Sequence, residues 1–213
     1  MSISNFTLGR AAAAVTTAVV LAGCASGSAQ TPSMDRMPMS TSSMMNDRSA
    51  MLARYPEKQR QTASEMMAKY GQPDVMSDHM IAWFNKGGFV KTVIARESVP
   101  HNFPMAHVDY LTQTVKHRVP AGRVDQLNEY DGSVYFHRTR GELSAECDVE
   151  AMNLLALNLA HDVAMNRRTV ADARAFYART AMAFKNGDRS SPYVTGLTFQ
   201  QEPNAADPDR PAM

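Results

Sequence analysis

Two glycine turns are the features that most restrict how this chain can fold. Lys86-Gly87-Gly88 separates the β-rich runs 79–85 and 89–96, and Arg140-Gly141 separates 133–139 from 142–147. Strands joined through so few residues run antiparallel, because a parallel neighbour needs a crossover of about a dozen residues or more. In the last of these arms Leu143, Ala145 and Cys147 alternate with Glu142, Ser144 and Glu146. That period of two gives one apolar and one wet face, and it places Cys147 in the core. A third strand is expected over 110–118. Residues 99–109, VPHNFPMAHVD, contain two prolines and predict an irregular connection.

Helix signals fill the spaces between these strands. Pro56 can open a helix to Tyr70, with Gly71 as its stop, and Pro120 a short one to Tyr130 before the Asp131-Gly132 turn. Asp148 is a good N-cap for the most apolar segment, 149–166, where Met152, Leu155, Ala156, Leu159 and Val163 recur at helical spacing. Thr169, with Asp172 three residues on, predicts a second helix to Lys185. Residues 193–199 read as an edge strand. The expected class is α+β: a largely antiparallel sheet built from two hairpins and covered by a C-terminal helical hairpin.

The N-terminal segment carries an address. Residues 1–10 hold a single positive charge, Arg10; the apolar run 11–21 follows, too short to span a bilayer comfortably; the segment closes on Leu21-Ala22-Gly23-Cys24. This resembles the lipobox of bacterial lipoproteins. The resemblance covers about residues 1–25 and implies cleavage between Gly23 and Cys24, with acylation of Cys24 anchoring the chain to a lipid bilayer. In a Gram-negative cell, Ala25 after the cysteine implies outer-membrane sorting and a domain facing the periplasm. With Cys24 so used, Cys147 is single, and the domain must be held by its core without an intramolecular disulfide. Residues 24–50, rich in Ser, Thr and Met, read as a disordered tether, and 201–213 as a disordered tail. One domain remains over 51–200.

Lys and Arg number 22 against 21 Asp and Glu. That balance offers no basic field for nucleic acid, so the expected partners are the bilayer and an envelope protein. Three groups of residues can carry chemistry. Met34, Met37 and Met39 resemble methionine motifs of periplasmic copper-handling proteins; thioethers suit Cu(I) and stay reduced in an oxidising compartment. His101, His107 and Asp109 are competent ligands for zinc or a similar ion on the proline-bounded connection. Asn158 and His161, with Asp162, form a polar strip on the apolar helix, either lining a pocket or completing a hydrogen-bond network.

Glu142 and Glu146 on one strand stand about 13 Å apart, beyond the roughly 5 to 9.5 Å of a glycosidase pair. They are expected to pair with Arg138 and Arg140 instead. No nucleophile elbow, phosphate-binding glycine loop or His-Glu-x-x-His motif is present, and no cofactor is implied. The reading is a non-catalytic binding or structural module of the cell envelope, with copper handling by the methionine segment as the alternative.

Overall fold

A computed structural model describes residues 41–213. Residues 1–23, expected to be a signal peptide, and Cys24, Met34, Met37 and Met39 lie outside the described residues. Among the described residues no helix is long and apolar enough to cross a membrane.

The chain runs α1 (Thr41–Leu52), α2 (Glu57–Tyr70), β1 (Val75–Met76), β2 (Met80–Lys86), β3 (Phe89–His101), β4 (His107–Lys116), α3 (Val124–Tyr130), β5 (Val134–His137), β6 (Glu142–Cys147), α4 (Glu150–Ala164), α5 (Val170–Lys185) and α6 (Pro192–Thr195). The six strands form one antiparallel sheet in the order β1-β2-β3-β4-β6-β5. This is the α+β class expected from the two hairpins. On β4 the side chains of Leu111, Gln113 and Val115 alternate toward the core, where Ile81, Trp83, Ile94, Leu143 and Ala145 from neighbouring strands are also buried.

From Met152 to Ala164 every residue of α4 is buried. A helix buried on all sides needs partners on all sides. The sheet supplies one, and α3, α5 and α6 supply the others. The periodic stripe in the sequence therefore understated the burial of α4.

Several expectations are corrected. The later part of the expected tether, from Thr41, is helical: Met, Ala, Arg and Leu are good helix formers, and neither glycine nor proline interrupts 41–52. Asp148 does not cap α4; the helix starts a residue or two later, after Val149, and the Asp148 carboxylate accepts the Cys147 thiol at 3.6 Å. Residues 193–199 do not form a strand. Ser191 accepts the Tyr193 amide and Pro192 takes the first helical position, so α6 begins there as one turn.

Within the expected tail, residues 201–209 pack onto the sheet end rather than lying loose. Gln201 Oε1 accepts the Lys116 amide at 2.7 Å, Ala205 is fully buried, and Arg138 pairs with Asp207 at 2.7 Å and with Asp209. Arg138 is therefore not the partner of Glu142, which binds Lys91 and Lys116, each at 3.2 Å. Burial pushes the Glu142 carboxyl up, but the two ammonium groups outweigh it and hold it below its usual range.

Gly141 makes this docking possible. It sits at φ +58°, and a Cβ there would fall 2.2 Å from the backbone carbon of Ala205. Gly71 also has positive φ, +80°, but has open space around it. Gly71 combines φ +80° with ψ −165°, a region left almost entirely to glycine, so alanine there is expected to cost about 1–3 kcal/mol from backbone strain alone. Alanine at Gly141 meets the smaller αL penalty but clashes with backbone atoms of Ala205 and Ala206, which must move, and is expected to cost more, about 3 kcal/mol or above. Urea midpoints of the two variants check the order.

Candidate metal centre

The hairpin of β3 and β4 does not end where the prolines suggested. It continues to His101 and His107, which face each other across the ladder, and closes through residues 102–106. Between Ile94 and Val99 the register shifts, so β3 holds residues 95–98 where β4 holds only Tyr110. Beyond this bulge β3 has no β2 neighbour, because that pairing ends at Met80 and Ala95. Pro100 is thus on a local edge, where its missing N–H costs the ladder nothing. The expectation of an irregular 99–109 connection is overturned for this reason.

The extended register builds a cluster. Directly opposed residues share a face, and so do residues two apart on one strand. His101, His107 and Asp109 therefore project together to the helical side, with one ligand atom from each lying within 4.8 Å of the others. These are the three residues singled out in the connecting segment. The imidazole centroids are 4.9 Å apart. Asp109 is 3% exposed; His101 Nδ1 stands 3.1 Å from its Oδ2 and His107 Nε2 3.1 Å from its Oδ1.

The remaining nitrogens define the proton pattern. His107 Nδ1 lies 2.8 Å from the carbonyl of Met105, which only accepts, so Nδ1 carries a proton. His101 Nε2 faces the carboxylate of Asp131 at 3.5 Å. Asp131 ends α3 and accepts the Ser133 amide at 2.9 Å. Burial raises its pKa, while that hydrogen bond and His101 oppose the rise. Nδ1 of His101 and Nε2 of His107 are the nitrogens turned toward Asp109. Asp109 Oδ1 has no hydrogen-bond partner although His107 Nε2 is so close. Two imidazole nitrogens and a buried carboxylate oxygen without a hydrogen-bond partner converge on one point, an arrangement that a metal cation satisfies.

Ser133 completes the surroundings but not a hydrolytic triad. Its hydroxyl donates to Asp109 Oδ2 and lies 3.3 Å from His101 Nδ1, the same nitrogen that faces Asp109. Asp131 faces the opposite imidazole nitrogen, but the Ser133 hydroxyl gives its proton to Asp109 and not to His101, where a triad would need it.

The polar strip on α4 has another purpose. Asn158 Nδ2 donates to the carbonyls of Tyr193 and Gly196, and its Oδ1 accepts the amide and hydroxyl of Thr198, so this one carboxamide pins the turn after α6. Asp162 accepts from Arg168 and from the Tyr193 hydroxyl. His161 pairs with a residue the sequence did not mark, His117 on the segment after β4, at 2.7 Å. Phe199 stacks on His161 with centroids 4.4 Å apart. Only the long-range packing of α4 on the end of β4 brings these histidines together.

Cys147 is buried, and burial raises its thiol pKa far above normal, so it is an inert core residue. No protein-family model, curated protein or solved structure matches this chain.

Proposed function

We propose that the chain is a membrane-anchored envelope lipoprotein whose domain holds one borderline divalent ion, Zn²⁺ being the type case, on His101, His107 and Asp109. The observation that supports this reading most is the unpartnered Asp109 Oδ1 in a buried setting, with His107 Nε2 3.1 Å away. Each histidine also has an acceptor at its outer nitrogen, Asp131 for His101 and the Met105 carbonyl for His107, as metal-ligating histidines usually do. Two imidazoles and one carboxylate leave a coordination position for water or a ligand, which suits zinc better than magnesium or calcium. The anchor rests on Leu21-Ala22-Gly23-Cys24.

The test is calorimetric titration of the full chain in nonionic detergent, after chelator treatment. One equivalent of Zn²⁺ is expected to bind, with no response to Mg²⁺ or Ca²⁺. Changing Met34, Met37 and Met39 to leucine should leave the zinc stoichiometry at one. Loss of zinc binding in that methionine variant, or its persistence in His107→Ala, would defeat the assignment.

A further inference from the structure

Next to the cluster lies a cavity of about 430 Å³, bounded by the first turn of α2, the 102–106 loop, the β6–α4 junction and the second half of α5. Its volume is in the range of small-molecule sites. Val149, Met152, Ala181 and Phe184 give it apolar walls. Besides Cys147 and Tyr177, which burial keeps neutral, the titratable groups lining it are Lys58, Lys185, Asp148 and His107. The His107 Nδ1 proton is engaged by the Met105 carbonyl, and the Asp148 carboxylate accepts the Cys147 thiol. The two lysines are different. Both are exposed, neither forms an ion pair among the described residues, and the Lys185 ammonium touches only the Met105 sulfur at 3.8 Å. The rim thus carries two uncompensated ammonium groups against one carboxylate, over an apolar interior.

We propose that this cavity binds an amphipathic monoanion, a carboxylate on an apolar body. The apolar part fills the space between α4 and α5, and the carboxylate lies between Lys58 and Lys185, whose flexible stems let both ammonium groups reach it. The charge of the occupant is matched by the two ammonium groups, which a neutral or cationic molecule of the same shape cannot exploit. This goes beyond the metal reading and does not need the ion; the two share only His107.

The experiment is calorimetry on the chelator-treated full chain with 4-phenylbutyrate, 4-phenylbutanol and 4-phenylbutylamine, which share an apolar body and differ in charge. The carboxylate is expected to bind at one equivalent, about tenfold or more tighter than either counterpart. In Lys58→Met/Lys185→Met it should fall to the level of the alcohol. Ala106→Trp, at an exposed loop position that lines the cavity, should block all three. Zinc titrations of the same variants separate the two assignments, since neither change removes a ligand of the ion. Equal affinity for amine and carboxylate, undiminished binding in the lysine variant, or no binding of any of the three would overturn the proposal.

Discussion

Asp109→Asn is expected to lower zinc affinity by about 100-fold or more while the chain stays folded. Changes to groups that only support a metal ligand already cost about 10- to 100-fold, and this one removes a ligand's charge. Folding should survive because the amide keeps the shape of the carboxylate. Its Oδ1 can still accept from Ser133, and its NH₂ can donate to the histidine nitrogen that Asp109 leaves facing an oxygen. Ser133→Ala, which removes only the hydroxyl that steadies Asp109, should cost about tenfold. Competition with a chromophoric chelator measures both. A second readout is thermal: at a free zinc concentration of about 100 times the parent Kd, the parent gains roughly 2.7 kcal/mol, and Asp109→Asn should gain almost nothing. A variant that still binds zinc like the parent would place the ion elsewhere.

How far the sequence could be read depended on whether the governing contacts were local. Gly87-Gly88 and Gly141 announced their hairpins because turn chemistry is a property of a few adjacent residues. Thr169 announced α5 for the same reason, and its side chain does accept the Asp172 amide. The candidate ligands His101, His107 and Asp109 were visible as residue types, but not as a geometry. Two prolines suggested a break, whereas the bulge at 95–98 and the end of the β2 pairing make a local edge that admits Pro100. Neither circumstance is encoded near His101. Had β4 been extended back to His107, the alternation of His107, Asp109 and Leu111 would have put both ligands on the helical face. Residues 201–209 were misread because the composition of 201–213 is that of a loose tail; what orders them is the backbone of β4 and the missing side chain at Gly141, more than sixty residues earlier.

Acid is expected to loosen the domain through His117 and His161, and the proton positions show why. His117 Nδ1 lies 2.8 Å from the Arg118 carbonyl and must donate to it, so His117 Nε2 accepts from His161 Nδ1. His161 Nε2 is then the free basic atom of the pair, buried and without a partner. A proton added there finds no acceptor and creates a cation stacked on Phe199. Burial lowers the pKa of both histidines; His161 is pushed down to about 4, with His117 and Arg167 lowering it further and Asp162 and Glu202 opposing. In the unfolded chain histidine titrates near 6.5. Above that pH neither state binds the proton, and the stability is complete. Between about 6.5 and 4 the unfolded state binds more protons, so stability falls as pH falls, by about 3 kcal/mol for His161 alone. Urea denaturation from pH 7.5 to 4.5 should show this decline. His161→Phe should make it shallower, with His117 still contributing, at the cost of about 1–3 kcal/mol at neutral pH for leaving His117 Nε2 unpaired. If the slope between pH 6.5 and 4.5 is the same in parent and variant, other groups govern the acid response, and the histidine pair is only a packing contact.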